Sequence, residues 1–477
     1  MSELFRHVPS VDAALTALEA ELRGSLPRPL VRELVNAFFE RCREDVRAGR
    51  IERAEDLGLP RLLPRLAAFV RERGRPHFRR VLNATGVVVH TNMGRSLLCD
   101  EAVRAVAEAC AHYSNLEFDL ATGERGSRYS HVRDLLCRLT GAEDALVVNN
   151  NAAAVFLVLD TLAKGREVVV SRGQLVEIGG SFRIPDVMAR SGAILREVGT
   201  TNRTHLADYE RAVNPSTAAL MRVHASNFRV VGFTSEVPLK ELRPLADRHG
   251  LLVIEDLGSG NLCEFPAPGL AGEPPVQSVV ADGADVVTFS GDKALGGPQA
   301  GLIVGKKAAV ERIKKNPLNR ALRIDKMTLA ALEATLRLYL DPEQAKARIP
   351  TLRMIGLSEA GLKSQAGRLA RLIRSALGRE IEVSTRKGVS RVGGGAFPER
   401  DLPTTLVALA PRRPIGLEAL RAALLATDPP LVGRVEADAL CLDPRTLGQG
   451  EHALAVRALA QAVAALRGPR KRERSRT

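Results

Sequence analysis

The chain has 477 residues, with 69 Lys or Arg, 55 Asp or Glu and a net charge of +14. An apolar content of 45% with 26% charged residues is ordinary for a globular protein and excludes a disordered chain. No apolar run approaches the ~18 residues of a membrane span, and no apolar signal segment opens the sequence. The six cysteines contain no CxxC pair, which argues against a zinc site and a disulfide framework and predicts a cytoplasmic protein.

The aromatic content narrows the kinds of partner. The chain has no Trp and only 4% aromatic residues, which disfavours binding of single strands by base stacking. The positive charge still permits binding to phosphate backbones, since that attraction is mainly electrostatic.

Residues 1–75 are predicted to form a helical domain. Apolar residues recur near a 3.6-residue period at Leu30, Leu34, Ala37, Phe38 and Val46. Two interpretations stay open for this basic region: an amphipathic helical cap, or a domain that binds an RNA backbone.

Residues 76–345 alternate short β-rich runs with helical runs, and the strands are apolar on both faces. This pattern predicts a mostly parallel sheet covered by helices. Residues 346–467 are predicted to form a smaller α/β domain that opens with a helix over 359–377 and ends with an alanine-rich helix. Residues 468–477 form a basic tail.

A lysine on a tight turn is the first candidate catalytic residue. The apolar strand Val286–Phe289 is followed by Ser290, Asp292 and Lys293, and then by a Gly-Gly-Pro turn. Such a lysine is badly placed to be a solvated surface charge, and desolvation makes its amine available as a nucleophile. The alternative is a loop lysine that pairs with Asp292.

A carboxylate at the end of another strand is the second candidate. In the run LLVIEDLGSG, Asp256 lies at the carboxyl end of a predicted central strand, where open α/β sheets bind ligands. Glu255 should point to the opposite side. An acid here could keep the nitrogen of pyridoxal phosphate (PLP) protonated, although a single strand-end Asp is more often structural.

The third candidate is an anion site at a strand-to-helix junction. Asn149, Asn150, Asn151 and Ala152 follow one strand and precede an apolar helix. Free backbone N–H groups and the helix dipole attract a phosphate at such a junction. The alternative is helix capping by asparagine.

Long runs of this sequence resemble the bacterial selenocysteine synthases, the L-seryl-tRNA(Sec) selenium transferases. The matching runs include NATGVVVHTNMGRSLL (83–98), YSNLEFDLATGERGSR (113–128), SGDKALGGPQAG (290–301) and PLNRALRIDKMTLAALEATLRLY (317–339). The resemblance covers most of residues 80–345 and is looser outside them.

The resemblance implies an α/β enzyme of the fold-type-I PLP class. It would convert L-seryl-tRNA(Sec) to L-selenocysteinyl-tRNA(Sec) by eliminating water to an aminoacrylyl intermediate and adding selenium from selenophosphate. Lys293 would form the Schiff base with PLP and move the Cα proton, and Asp292 would help to position that transfer. Ser290 and Asn227 would contact PLP. The family further implies a homo-oligomer, a decameric ring of dimers, with no membrane or DNA partner.

The resemblance also implies arginines that bind the selenium donor. These are Arg95, Arg128, Arg320 and Arg323. Arginine presents a planar fork to phosphate oxygens, and Arg320 and Arg323 share one face if their segment is helical. In a chain so rich in arginine, each could instead be an ordinary surface charge.

Two other functions stay open from the sequence. One is a PLP-dependent lyase that acts on a small amino compound with the same catalytic core. The other is a non-catalytic RNA-binding protein, against which Lys293 and Asp256 argue. The residue that stacks on the PLP ring is not identified, and Gln174 and Val176 lie in the loop that should supply it.

Overall fold

The structure, a computed structural model, describes residues 2–22, 26–178, 182–224, 228, 230–263, 274–394, 396–448 and 450–467. The chain forms two compact units, residues 1–80 and 81–477. The helices are α1 (Ser2–Phe5), α2 (Val11–Leu22), α3 (Arg28–Arg47), α4 (Leu59–Arg73), α5 (Asp100–Ala111), α6 (Ser130–Thr140), α7 (Asn151–Leu162), α8 (Ile184–Ser191), α9 (Leu206–Ala212), α10 (Leu239–His249), α11 (Val276–Ala281), α12 (Lys307–Lys315), α13 (Leu318–Ala321), α14 (Lys326–Leu338), α15 (Pro342–Arg348), α16 (Pro350–Ile355), α17 (Glu359–Leu377), α18 (Leu417–Leu425) and α19 (Glu451–Arg467).

The strands follow the same chain order. They are β1 (Leu82–Asn83), β2 (Asp144–Val148), β3 (Glu167–Ser171), β4 (Glu177–Ile178), β5 (Phe182–Arg183), β6 (Ile194–Val198), β7 (Thr217–Val223), β8 (Leu252–Gly258), β9 (Val286–Ser290), β10 (Gly301–Gly305), β11 (Ile381–Gly393), β12 (Ala396–Pro411), β13 (Leu431–Val432), β14 (Arg434–Glu436) and β15 (Ala439–Leu442).

The first unit is helical, as its sequence predicts, and α2, α3 and α4 pack around an apolar core of their own. The buried face of α3 agrees with the predicted positions only in part: Ala37 is exposed and Leu30 and Leu34 are only half-buried. The predicted Phe38 and Val46 are buried, together with Val31, Val35, Phe39 and Cys42. Apolar residues lie both at the predicted positions and at the observed buried positions. Their period therefore predicts the helix but not which side of it packs against α2 and α4.

A seven-stranded sheet forms the centre of the second unit, in the order β2-β10-β9-β8-β7-β3-β6. Its pairs are parallel except that β10 runs antiparallel to both β2 and β9. Apolar clusters cover both faces, which explains why strands such as β2 and β9 are buried along their whole length. The parallel strands β8 and β9 therefore end side by side, and each carries one of the predicted residues.

A smaller four-stranded sheet, β11-β12-β15-β14, follows in the same unit. The helices α17, α18 and α19 cover its apolar core. The short strand β1 pairs in parallel with β13, so the start of the second unit packs against its end.

Two further observations concern the described part of the chain. None of its helices combines the length and the apolar character that crossing a membrane requires. Its six cysteines are all free thiols.

Candidate active site

The lysine turn follows β9 as predicted. Lys293 is 7% exposed and Asp292 is 5% exposed, so this turn is buried although it carries two ionisable groups. Gly291 allows the turn to form: a Cβ atom there would lie 2.5 Å from the carbonyl oxygen of Pro298. Lys293 is therefore not a solvated surface charge, and its role as the Schiff-base lysine stays a prediction.

A distant segment holds the backbone of this turn. The Ser96 hydroxyl donates to the carbonyl oxygens of Asp292, at 2.9 Å, and Lys293, at 2.7 Å. Arg95 donates to the Asp292 carboxylate at 2.8 Å. Asp292 thus pairs with Arg95, and Arg95 has the left-handed backbone φ of 62°. The contact of Ser96 was missed by the sequence analysis because local patterns do not show which residues meet across nearly 200 positions.

Asp256 lies at the carboxyl end of β8 with 4% exposure. Its Oδ1 atom accepts hydrogen bonds from Asn151 Nδ2 at 2.8 Å and from Thr288 Oγ1 at 3.0 Å. Burial raises the pKa of Asp256, while these two bonds and the charge of Lys293 oppose the rise. The carboxylate is therefore fixed in orientation and lies within the electrostatic reach of the lysine.

Glu255 takes the opposite side of β8, as the strand alternation predicts. Its carboxylate lies 3.5 Å from Arg222 on the neighbouring strand β7. Burial raises the pKa of Glu255 to about 7, and the Arg222 charge opposes the rise. Two adjacent carboxyl groups thus occupy different environments, and the charge of Lys293 acts on Asp256.

The predicted anion site is the N-terminus of α7. The Asn150 side chain caps the helix by accepting from the Ala153 backbone N–H at 2.9 Å. The Asn151 side chain turns to Asp256 instead, a contact that the sequence did not predict. Asn149 and Ala152 complete the junction, and the Asn149 N–H donates to the carbonyl oxygen of Leu322 at 3.1 Å. Asn150 therefore caps the helix, and the anion site at this N-terminus stays a prediction.

Three of the four predicted arginines line one cavity of about 410 Å³. Arg128 is buried and donates from Nε to Glu117 at 2.9 Å, and Arg323 lies 3.4 Å from the same carboxylate. Arg320 lies on the four-residue helix α13, which ends before Arg323. The two side chains therefore do not share a helix face, although they share the cavity.

Arg95 lies apart from those three arginines. It lines a second cavity of about 450 Å³ with Ser96, Asp292 and Gly297. Among the described residues, no side chain lines both cavities. The four predicted arginines are therefore divided between two cavities, and Arg95 is paired with Asp292 in the second.

The remaining residues that were predicted to contact PLP have the following positions. Ser290 is buried at the end of β9. Asn227 lies outside the described residues. Gln174 and Val176 are both buried, and Gln174 Oε1 accepts from the Val223 backbone N–H at 3.1 Å.

His224 is a neighbour of the site that sequence reasoning missed. Its backbone N–H donates to the Asp256 carbonyl oxygen at 2.9 Å. Burial, with a smaller contribution from Arg222, lowers the pKa of His224 to about 4, so its ring is neutral at pH 7. Its position directly after a predicted strand was the available signal.

Comparison with known proteins places this geometry in a family. Residues 81–448 match the family described as L-seryl-tRNA selenium transferase, and residues 5–43 match the N-terminal region of selenocysteine synthase. The L-seryl-tRNA(Sec) selenium transferase of Maridesulfovibrio salexigens is 64% identical over 97% of this chain and 99% of its own length. That of Nitratidesulfovibrio vulgaris is 66% identical over 97% of this chain and 100% of its own length.

A solved structure supports the fold independently. D-Glucosaminate-6-phosphate ammonia-lyase superposes with a TM-score of 0.56 at 22% identity, covering 81% of this chain and 96% of its own. The fold is that of the fold-type-I PLP enzymes, as the sequence predicts. Because the family match covers residues 81–448 and the sequence identity to the two family members named above is 64% and 66%, the chain belongs to the L-seryl-tRNA(Sec) selenium transferase family.

Proposed function

We propose that this chain converts L-seryl-tRNA(Sec) to L-selenocysteinyl-tRNA(Sec), with PLP as cofactor and selenophosphate as selenium donor. The observation that carries the proposal is the placement of Lys293 and Asp256. Both are buried at the carboxyl ends of adjacent parallel strands, and the N-terminus of α7 lies beside them through the bond from Asn151 to Asp256.

The residues present fit PLP. A buried carboxylate and a buried lysine supply a partner for a pyridine nitrogen and an amine for a Schiff base. The buried Asn151 Oδ1 and Ser259 Oγ have no hydrogen-bond partner within the described part of the chain. Such orphaned polar atoms beside the lysine turn are expected where a polar ligand binds. The end of α7 at Asn151 offers backbone N–H groups to a phosphate.

Bound PLP would supply an electron sink for the carbanion formed at the seryl Cα atom. Asp256 would keep a proton on the pyridine nitrogen, and Asn151 and Thr288 would hold the carboxylate in place for that task. Lys293 would move the proton at Cα, since a positioned amine can serve as a general base. Ser96 and Arg95 would fix the turn that aims Lys293.

The arginines would bind the selenium donor through its phosphate. Arg320 and Arg323 point cationic groups into one cavity, together with Arg125 and Lys314. Arg128 is tied to Glu117 and lowers the pKa of that carboxyl, so its role would be to position the cavity wall. Arg95 would act in the second cavity, beside Asp292.

The helical unit would bind the tRNA. Residues 1–80 carry 16 Arg and 12 acidic residues, and arginines lie over the rings of Phe5, Phe38 and Phe69. An arginine-rich surface with few aromatic side chains suits the phosphates of duplex RNA. This unit also distinguishes the proposal from a lyase that acts on a small amino compound, which has no use for it.

The active form would be a homo-oligomer in the cytoplasm, a ring of dimers. Tyr113, Phe118 and Leu120 expose large apolar surfaces around one shallow cavity of about 650 Å³. A patch of this kind is typical of a protein–protein interface. Sedimentation of the full-length protein would measure the size of the assembly.

The decisive experiment incubates the PLP-loaded protein with selenophosphate and either seryl-tRNA(Sec) or free serine. We expect selenocysteinyl-tRNA(Sec) from the first and no product from the second. Lys293→Ala should abolish both turnover and the near-visible absorbance of lysine-bound PLP. Lys240→Ala, which removes an exposed lysine from α10, is the matched control and should retain both. Conversion of free serine with no reaction of seryl-tRNA(Sec) would favour the small-molecule lyase.

A further inference from the structure

The outer face of α17 is a basic stripe in the smaller α/β part of the second unit. Its cations are Lys363, Arg368, Arg371 and Arg374, and all four are exposed. The opposite face is buried through Leu362, Ala366, Leu369, Ala370, Ile373 and Leu377. Because the apolar face packs against the sheet, the helix presents its charged side outward, and Arg374 at its edge also donates to the Val383 carbonyl oxygen of β11 at 2.9 Å.

Nothing within the helix neutralises this stripe. Residues 359–380 contain two carboxylates, Glu359 and Glu380, one at each end. Glu359 lies 3.9 Å from Lys387, and Glu380 lies 2.7 Å from Arg467. Each carboxylate thus faces a cation from another element.

The stripe has the length and the composition of a surface that binds phosphates. At 1.5 Å per residue, Lys363 and Arg374 are separated by about 16 Å along the helix, which spans several phosphates of a duplex strand. Residues 359–380 contain no Phe, Tyr or Trp, so this surface offers no platform for base stacking. Such a surface attracts an RNA backbone without reading bases.

We propose that the outer face of α17, defined by Lys363, Arg368, Arg371 and Arg374, is a second RNA-binding surface that contacts the phosphate backbone of a duplex arm of the tRNA substrate. The inference rests on the proposed function, since it assumes a tRNA substrate. It adds a binding surface on the smaller α/β part, separate from the helical N-terminal unit. Its contribution is electrostatic, and so it falls with salt.

The test measures the affinity of full-length, PLP-loaded protein for seryl-tRNA(Sec) across a range of salt concentrations. The variant Lys363→Gln, Arg368→Gln, Arg371→Gln removes three charges from the stripe. The control Arg138→Gln, Arg190→Gln, Lys240→Gln removes three charges from exposed positions on α6, α8 and α10. Both variants lower the net charge equally, so only the location of the charge differs.

We expect the stripe variant to bind at least tenfold more weakly than the control near physiological salt. Each lost phosphate contact lowers the log–log salt slope by about 0.9, so the slope should fall by about 2 to 3. Equal affinities and slopes in the two variants would overturn the proposal. Wild-type protein that neither binds nor converts seryl-tRNA(Sec) would instead overturn the proposed function.

Two further variants guard against other causes. Arg368→Lys with Arg371→Lys keeps the charge and should keep most of the affinity; binding as weak as in the glutamine variant would overturn an electrostatic role. Deleting residues 468–477 removes a net charge of +4 that lies outside the described residues. If that deletion reproduces the whole salt effect while the stripe variant has none, the tail and not α17 binds the RNA.

Discussion

Replacing Glu255 by Gln tests the electrostatics of β8 without touching Lys293. Glu255 is 1% exposed, and its Oε2 atom has no hydrogen-bond partner in the described part of the chain. Its pKa is raised from an ordinary value of 4.5 to about 7, chiefly by burial. The folded protein therefore holds this proton more tightly than the unfolded chain does.

The sign and size of the effect follow from that difference. Stability falls as the pH rises from 4.5 through 7, because the folded state must then bury a charge that the unfolded chain exposes to water. Each pKa unit is equivalent to about 1.4 kcal/mol, so the full cost above pH 7 is on the order of 3 kcal/mol. Glu255→Gln keeps the shape of the side chain but removes its ionisable group. The variant therefore does not bear the free-energy cost of burying this charge.

Thermal unfolding at pH 5 and pH 8.5 measures the effect. A unit of about 400 residues has an unfolding entropy near 0.8 kcal/mol/K. We therefore expect the melting temperature of Glu255→Gln, relative to that of the wild type, to be about 3 °C higher at pH 8.5 than at pH 5. Turnover should be retained, because Glu255 lies on the opposite side of the strand from Asp256. A difference in melting temperature that stays constant with pH would refute a protonated, buried Glu255.

Three other predictions concern the reaction and the tRNA. Asp256→Ala should still bind PLP but turn over about 100-fold more slowly or worse, because the ring nitrogen loses its partner; unchanged turnover in steady-state assays would exclude this carboxylate. Arg323→Lys keeps the charge and loses the planar fork, so selenium transfer should slow more than elimination of water, and equal losses in single-turnover assays would indicate a role in folding or PLP binding. Deleting residues 1–75 should leave a PLP-loaded protein that binds seryl-tRNA(Sec) more than tenfold more weakly, a loss above about 1.4 kcal/mol, and unchanged binding would leave this region only a structural cap.

Much of the fold could be predicted from local patterns. The strands around Asp256 and Lys293 are continuous apolar runs bounded by turn residues, and such runs identify buried parallel strands well. The helix predicted over 359–377 agrees with α17. The direction of β10 could not be predicted, since an antiparallel strand buried on both faces has the same apolar pattern as a parallel one.

The sequence predicted which residues belong to the candidate site better than it predicted the contacts between them. The sequence identified Asn151 and Asp256 separately, but their mutual bond depends on the order of β2, β10, β9 and β8 in the sheet. The pairing of Arg128 with Glu117 likewise depends on the path of a loop, and hydrophobic periodicity predicts helices and strands but not loop paths. Spacing of three residues suggested a shared helix face for Arg320 and Arg323, but α13 ends after one turn.

The segment that holds Lys293 has a consequence for how the protein reaches its native state. Ser96 bonds to the lysine turn, and Val88 and Val89, a few residues earlier, donate to the carbonyl oxygens of Arg391 and Val392 in the smaller sheet. These contacts join parts of the chain that are about 200 and 300 positions apart. Closing such long loops is entropically costly and slow, so contacts of this kind form late in folding. During synthesis, residues 83–96 can make these contacts only after the lysine turn and then β11 have been translated. The Lys293 side chain therefore acquires its final orientation only when most of the chain exists.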